Sequence, residues 1–273
     1  IIPENTFDKC YLLYLDQKRC EFLKQYIVDN FGEVTNENFV PFQGRIKDEF
    51  LTEEIQKQKN MSTSELLESN LKNYKGSFGK EVNEFCKKHN MAKLVRRDGQ
   101  YGHLDSFQRI VENAIENNHE NILILEDDIF LHKDINNLFD KTEFNKIRSK
   151  ADIIYFGTTK YGACKIENKN FTAKSIDGTF AIYLNKNVFH EYLELLKLRI
   201  FPSDTCLHIL QKFYPTYVYE PNLIISDLSE SYISSYKNNE RLHRRFGWNK
   251  ADYQLWDTSQ FKKENIDKNE VKS

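Results

Sequence analysis

The segment from residue 121 to residue 128 constrains this chain more than any other. Asn121-Ile122-Leu123-Ile124-Leu125 is almost entirely apolar, and a strand that is apolar on both faces lies in the middle of a sheet covered by helices. Three acids, Glu126, Asp127 and Asp128, follow it directly. Ligands of open α/β sheets bind beyond the carboxyl ends of the strands. The segment therefore predicts a buried central strand that places three carboxylates at the ligand-binding edge.

The rest of the chain alternates short apolar runs with helical patterns. The other segments with strand character are 10–15, 38–42, 152–157, 178–184, 217–219 and 223–225. Apolar residues recur at helical spacing in 22–31, which Gly32 would end, in a helix capped by Asp105 or Ser106 that runs through Ile115, and in 188–198. This alternation predicts an α/β domain with an open, mostly parallel sheet flanked by helices. The irregular spacing argues against a closed eight-stranded barrel.

Length and polarity divide the chain into parts. Its 273 residues suit one large domain with a small appendage, and we expect that domain to span residues 1–235. Residues 46–90 are strongly polar, and Ser62-Thr63-Ser64-Glu65 is a capping-box sequence, so we predict a helical insertion or lid there. Residues 236–273 are expected to form a basic segment that ends in a polar tail.

Composition limits the classes of partner. Lys and Arg total 39 and Asp and Glu total 41, for a net charge of −2, which gives no reason to expect a nucleic-acid partner. No run approaches the ~20 apolar residues that span a bilayer. The five cysteines are scattered without a C-x-x-C pair, which disfavours a zinc site and favours reduced thiols. We therefore expect a cytoplasmic location, in the source cell or in a host cell, unless an anchor precedes Ile1.

The chemistry of the acidic triplet indicates a divalent cation. Adjacent carboxylates repel one another unless a cation relieves the repulsion, and Mn²⁺ or Mg²⁺ prefers carboxylate oxygens. Alternate side chains of an extended chain point to opposite faces, so Glu126 and Asp128 would share a face and Asp127 would point elsewhere. A cation there can neutralise the charge that grows on a departing diphosphate. The alternative is that the three acids are solvated and that one of them caps a helix.

The residues around this triplet resemble a known family of sugar transferases. Gly102-His103-Leu104-Asp105-Ser106, the helix that follows and residues 121–129 are together similar to glycosyltransferase family 25, which contains lipooligosaccharide sugar transferases and collagen galactosyltransferases. Weaker similarities occur in the family's order at 14–19, 178–181, 202–204 and 226–227, so the resemblance spans residues 9–235. The chain departs from the family at His103, where Cys is usual, and at Phe107, where His is usual.

The resemblance implies a GT-A fold, which is Rossmann-like, and an inverting transfer of a hexose from a nucleotide sugar, usually a UDP-sugar. The acceptor hydroxyl would belong to a glycan, a lipid-linked sugar or a collagen-like protein. Glu126 and Asp128 would be the metal and nucleotide carboxylates, and Asp127 would share this role. The residues implied in donor binding are Tyr14, Leu15, Asp16 and Arg19, which belong to a nucleoside loop, and Ser106. Ser106 is included because helix starts suit anions.

Three further segments carry candidate roles, each with a plainer alternative. Asp204 is the candidate general base that takes the acceptor proton, or else it caps the helix that follows it. Asp227 is a candidate metal ligand or base, or else a turn residue after a strand. The basic cluster 241–245 could fold over the diphosphate, with His243 and Arg244 at the donor and His243 as a metal ligand. Alternatively, this cluster is an exposed helix end.

Two other functions compete with a transferase. Metal-dependent phosphotransfer enzymes and nucleases also cluster carboxylates, usually around two metals. The chain has no P-loop, no H-x-x-x-H motif and no strong basic face for nucleic acid, which argues against them. The second competitor is a non-catalytic relic of a transferase that binds glycans or proteins. Three packed carboxylates would have no use in such a module.

Overall fold

The computed structural model describes residues 6–45, 52–88, 95, 97–159, 176–227 and 246–261. At their centre is a six-stranded sheet, formed by β1 (Lys9–Tyr14), β2 (Phe39–Gln43), β3 (Asn121–Glu126), β5 (Ile153–Tyr155), β6 (Ala181–Asn185) and β7 (Thr216–Val218). Two more strands, β4 (Ile129–Leu131) and β8 (Ile224–Ser226), pair antiparallel in a small second sheet. The spatial order β2-β1-β3-β6-β5-β7 places β3 inside the large sheet, as its apolar sequence predicts.

β6 runs against the other five strands of the large sheet. β1 pairs parallel with β2 and β3, and β5 pairs parallel with β7, whereas β6 pairs antiparallel with both β3 and β5. The prediction of a mostly parallel α/β sheet is therefore confirmed, with one reversed strand. A buried strand is apolar whichever way it runs, so the sequence of β6 gives no sign of its direction. The carboxyl ends of β1 and β3 lie at the edge where β6 begins.

Helices cover the sheet. Those in the described residues are α1 (Gln17–Asn30), α2 (Glu53–Asn60), α3 (Thr63–Leu71), α4 (Gly79–Lys88), α5 (Asp98–Glu116), α6 (Ile135–Leu138), α7 (Lys141–Arg148), α8 (Lys186–Lys197) and α9 (Ser203–Leu210). On one face, α5, α8 and α9 bury Phe107, Tyr192 and Leu207 in the same apolar cluster as Ile124 and Ile182 of the sheet. Within the described part of the chain, no helix is both long and apolar enough to cross a membrane.

The helices α2, α3 and α4 lie in the polar stretch for which an insertion is predicted. Ser62 caps α3, and the Ser62 and Glu65 side chains form both hydrogen bonds of a capping box, as the sequence predicts. Each of the three helices also contributes one fully or almost fully buried apolar residue to the cluster beneath α5 and α8. These residues are Ile55, Leu66 and Val82. The stretch is polar on average, yet it packs on the domain through apolar side chains.

The other face of the sheet carries a second apolar cluster. Side chains from α1, α7 and the small sheet contribute to it. So do Phe246, Trp248 and Tyr253, which are buried there although they fall in the segment predicted to be a basic appendage. Trp248 Nε1 donates a hydrogen bond to the carbonyl of Thr158 (3.2 Å). Residues 246–261 therefore share a core with β4 and β8.

Candidate active site

The acidic triplet and the predicted nucleoside loop meet at one edge of the sheet. β1 and β3 lie side by side and parallel, with Leu13 opposite Glu126. The chain leaves both strands at the same edge, where the Leu15 N–H donates a hydrogen bond to Asp127 Oδ2 (3.4 Å). Leu15 is 40% exposed, so this loop presents an apolar side chain beside the acids. Parallel pairing thus joins two segments that are 112 residues apart in the chain.

Asp127 and Asp128 form the turn between β3 and β4, which corrects the prediction for how the acids point. β3 ends at Glu126 and β4 begins at Ile129, so the alternation of an extended chain stops before Asp128. Glu126 contacts α5, whereas Asp128 contacts β8. The prediction that Glu126 and Asp128 share one face is therefore wrong. The carboxylates still lie close enough for repulsion to add to the effect of burial on the pKa of Asp128.

Two side chains bind the carboxylate of Glu126. His103 Nε2, from α5, lies 3.1 Å from Oε1, and the Thr179 hydroxyl donates to the same oxygen (2.6 Å). Burial alone would raise the pKa of Glu126. The charge of His103 and the two hydrogen bonds outweigh burial, so the pKa of Glu126 is lowered. An ionised carboxylate only accepts hydrogen bonds, and His103 Nε2 therefore carries the proton.

His103 links the acidic triplet to α9. Its Nδ1 lies 2.8 Å from the hydroxyl of Ser203, the first residue of α9. Burial lowers the pKa of His103, but Glu126 and, less strongly, Asp204 raise it, and the net shift is upward. In the sequence, His103 stands out only as a departure from the family pattern, with no predicted role. No local sequence pattern marks it, because the pairing with Glu126 depends on how α5 packs against β3. Within the helix, the His103 ring contacts that of Phe107 one turn later, with centroids 4.6 Å apart.

Asp128 has a buried carboxylate oxygen that no described residue pairs. The Ser226 hydroxyl donates to Oδ2 (3.0 Å), whereas Oδ1 is buried without a hydrogen-bond partner. Burial first, and then repulsion by Glu126 and Asp127, raise the pKa of Asp128 well above its ordinary value. Arg19 opposes this shift only in part. An unpaired carboxylate oxygen among other acids is a suitable ligand for a hard divalent cation, so the residues present fit such an ion.

Asp227 follows β8 directly and lies against the acidic turn. Its N–H donates to the carbonyl of Asp128, and the residue is buried. The pairing of Ser226 with Ile129 in the small sheet brings it there. Among the described residues, no group of three or more His, Cys, Asp or Glu side chains is arranged so that it could hold a metal ion. The contribution of Asp227 to the site is thus its position beside Asp128.

The other predicted loop residues make contacts within the protein. The Tyr14 hydroxyl donates to Gln17 Oε1 (2.9 Å), and Asp16 caps α1 by accepting the Arg19 N–H (2.8 Å). The Arg19 guanidinium lies over the Trp256 ring, 5.2 Å from its centroid. Burial raises the pKa of the neighbouring Asp127, and the charge of Arg19 is the main effect that opposes this rise. Arg19 therefore balances part of the negative charge of the turn.

Ser106 does not lie at a helix start. α5 begins at Asp98, well before Ser106, and the Ser106 hydroxyl donates to the carbonyl of Gly102 inside the helix (2.8 Å). The prediction that Asp105 or Ser106 caps this helix is wrong, so Ser106 offers no helix start that could attract an anion. Gly99 and Gly102 lower the helix propensity of the first turns, which hid the true start.

Asp204 lies in the first turn of α9 and is partly exposed. It does not cap the helix, because the cap position belongs to Pro202. Its carboxylate accepts a hydrogen bond from the Thr205 N–H (2.6 Å). Burial first, and then repulsion by Asp177, raise the pKa of Asp204, while His208 opposes the shift. A carboxylate with a raised pKa is better suited to general-base catalysis near neutral pH.

The predicted residues therefore meet in two connected contact groups. Leu15, Asp127, Asp128 and Asp227 form one, and Glu126 joins α9 through His103 and Ser203 in the other. His243 and Arg244, with the rest of 241–245, lie outside the described residues, and their roles stay predictions. No protein-family model matches the chain, and no curated protein is significantly similar to it in sequence. The site must therefore be interpreted from its own chemistry.

Proposed function

We propose that this protein is a metal-dependent glycosyltransferase of the GT-A type, related to glycosyltransferase family 25. It would move a hexose from a UDP-sugar, with inversion, to a hydroxyl group of a glycan, a lipid-linked sugar or a collagen-like protein. The supporting observation is that three distant segments meet at the carboxyl edge of the sheet. Leu15 of the loop after β1 contacts Asp127, and Asp227 at the end of β8 contacts Asp128. Open α/β sheets bind their ligands at this edge.

The acidic turn suits a divalent cation. Mn²⁺ or Mg²⁺ would be held by Glu126, Asp127, Asp128 and Asp227, and would neutralise charge on the departing diphosphate. The unpaired Asp128 Oδ1 and the raised pKa of Asp128 support this assignment, because both indicate a carboxylate whose negative charge is only partly balanced. Glu126 is bound through Oε1 by His103 and Thr179. These two contacts would fix the orientation of its carboxylate.

The loop after β1 would bind the donor. The exposed side chain of Leu15 would contact the nucleoside, and the guanidinium of Arg19 would attract the diphosphate. The positions of both residues support these roles, because Leu15 adjoins Asp127 and the charge of Arg19 acts on Asp127 and Asp128. Tyr14 and Asp16 would fix the shape of the loop through their contacts with Gln17 and with the start of α1.

Asp204 would take the proton from the acceptor hydroxyl. An inverting transfer needs one base on the acceptor side while the nucleotide leaves on the other. Asp204 meets the requirement of access, because it is partly exposed. It also meets the requirement of proximity, because its neighbour Ser203 connects through His103 to Glu126. Its raised pKa would let it hold a proton more firmly than an ordinary aspartate.

Release of UDP from a panel of UDP-sugars, with and without Mn²⁺, tests the proposal. We expect wild-type protein to release UDP only with the metal present. The variant Asp128→Ala should lose at least about 100-fold in rate, because even outer groups around a metal typically contribute 10–100-fold. The control is Asp134→Ala, which removes an exposed carboxylate that makes no capping hydrogen bond and should retain full activity. Turnover that does not depend on Mn²⁺, or that is retained in Asp128→Ala, would refute a metal-dependent transferase. Binding of a sugar without turnover would favour the binding module.

A further inference from the structure

A polar stripe runs along α9, although this helix is otherwise buried and largely apolar. Asp204, His208 and Gln211 recur at the spacing i, i+4 and i+7, with Gln211 directly after the last helical residue. His208 is 3% exposed and Gln211 is 1% exposed. Burying such groups costs free energy unless they are paired. The stripe must therefore face polar partners inside the protein.

Those partners belong to the segment before β6. His208 Nε2 lies 2.5 Å from Asp177 Oδ1. Gln211 fixes the residue before Asp177, because its side chain accepts from the Ile176 N–H (2.9 Å) and donates to the Ile176 carbonyl (3.0 Å). The backbone of Asp177 also pairs with Thr159 in an isolated bridge. His208 and Asp177 are thus both held in place by the elements that carry them.

Two carboxylates lie near this one buried imidazole. His208 pairs directly with Asp177 and lies one helical turn after Asp204, so the positions i and i+4 face the same side of α9. Asp177 repels Asp204, and His208 attracts it. The titratable groups that act on Asp204 or lie close to it are Asp177, His208, His103, Tyr155, Tyr192 and Cys206. Of these groups, His208 and Asp177 lie in direct contact with each other.

We propose that His208 and Asp177 are positioning residues for Asp204, and that the buried imidazole, in contact with one carboxylate and near the other, sets how readily Asp204 accepts a proton. The inference rests on the proposed role of Asp204 as the base. Neither residue needs to touch a substrate, because the effect acts through Asp204. His208 would thereby couple the loop before β6 to the catalytic carboxylate.

Two substitutions should move the titration of Asp204 in opposite directions. His208→Gln leaves Asp177 and Asp204 facing each other without the imidazole, so Asp204 should bind its proton more tightly and titrate about one pH unit higher. Asp177→Asn removes the repulsion and leaves the imidazole to Asp204, so Asp204 should titrate about one pH unit lower. If the contact between His208 and Asp177 only stabilised the fold, both variants would be less stable, but the Asp204 titration midpoint would not shift in opposite directions.

The titration can be measured directly, without an activity assay. Protein labelled with ¹³C at the aspartate carboxyl carbons is titrated by NMR, and the Asp204 signal is assigned by its loss in Asp204→Asn. Matched controls are His190→Gln and Asp134→Asn, which make the same changes at exposed positions and should leave the Asp204 midpoint unmoved. Opposite shifts in the two test variants support the proposal, and shifts of the same sign or no shift overturn it. If His208→Gln does not fold, the downward shift in Asp177→Asn decides alone, because Asn keeps the size of Asp.

The proposal and the function on which it rests can fail separately. In an active enzyme, the acid limb of the rate–pH profile should move with the Asp204 midpoint in each variant. Opposite NMR shifts in a protein without transferase activity would confirm the coupling while refuting the function. If the protein is an active transferase and the acid limb of its rate–pH profile is unchanged by both substitutions, the function would be confirmed and the positioning role overturned.

Discussion

The ionised carboxylate of Asp128 destabilises the acidic turn. Burial and two neighbouring carboxylates raise its pKa above the ordinary value of 3.8, so the folded protein binds this proton more tightly than the unfolded chain. The stability of the wild type should therefore fall as the pH rises from about 4 through the raised pKa, and stay reduced above it. We expect Asp128→Asn, measured at pH 7 in a chelator, to be more stable by about 1 kcal/mol, or ~2–4 °C in Tm.

The difference between Asp128→Asn and wild type should shrink as the pH falls toward 4, because the wild-type carboxyl is then protonated as well. Thermal unfolding followed by circular dichroism between pH 4 and pH 8 measures this. The control is Asp134→Asn, at an exposed position, which should stay within about 0.5 kcal/mol of wild type at every pH. A constant difference between Asp128→Asn and wild type across this range would show that charge is not its cause.

The sequence predicts the position of the three acids in the fold because they are adjacent in the chain. Glu126, Asp127 and Asp128 are adjacent in the sequence, and their position at the carboxyl edge follows from the apolar strand before them. His103 and Thr179, which bind Glu126, lie 23 and 53 residues away from it. No local pattern indicates such a partner, because the contact depends on how α5 and the start of β6 pack against β3. The orientation of the acids was likewise set by a turn that periodicity does not reveal.

At the scale of elements, the backbone just after β5 packs tightly against the small sheet. A Cβ atom on Gly157 would lie 1.8 Å from the carbonyl oxygen of Ile224 in β8 and 2.6 Å from the Phe180 ring. Backbone cannot move aside as a flexible side chain can. We therefore expect Gly157→Ala to reduce the free energy of unfolding by at least about 3 kcal/mol, measured by urea denaturation.

A matched substitution separates crowding from the general effect of alanine. Gly79 is the first residue of α4, and a Cβ there would meet its nearest neighbour, the Tyr74 ring, at 3.5 Å. Gly79→Ala should be neutral or stabilising by up to about 1 kcal/mol, because alanine favours the helix. If Gly157→Ala were tolerated as well as Gly79→Ala, β5 and β8 would not pack as closely as the structure places them.

Element existence was easier to predict than element direction or length. The strong periodic or apolar runs formed the predicted type of element. β3 and α8 lie close to their predicted bounds, whereas α1 begins at Gln17, before the predicted residue 22. The sequence did not indicate that β6 is reversed or that β4 and β8 form a separate sheet, because apolar runs do not encode their partners. α5 was predicted too short, since its first turns contain two glycines.

At the scale of the whole molecule, each face of the large sheet has its own apolar cluster. Residues alternate between them along the strands, so that Ile124 faces one cluster and Leu123 and Leu125 face the other. The second cluster is completed from a distant part of the chain by residues near 250. Local sequence patterns do not indicate that these residues complete the cluster, because the apolar residues of 246–261 are scattered among polar ones.

Trp248 tests whether this packing of residues 246–261 stabilises the fold. Its side chain is 5% exposed, packs against Phe180 and Phe246 with ring centroids 5.8 and 5.1 Å away, and donates a hydrogen bond to the Thr158 carbonyl. Trp248→Ala should therefore cost about 3–5 kcal/mol, because it opens a cavity and leaves that carbonyl unpaired. Leu255→Ala, in the same segment but 51% exposed, should cost no more than about 0.5 kcal/mol. Calorimetry of both variants measures the contrast. Equal, small losses in the free energy of unfolding would mean that residues 246–261 lie on the domain without stabilising it. A large loss confined to Trp248→Ala would instead make them an integral part of the core that positions β8 and Asp227.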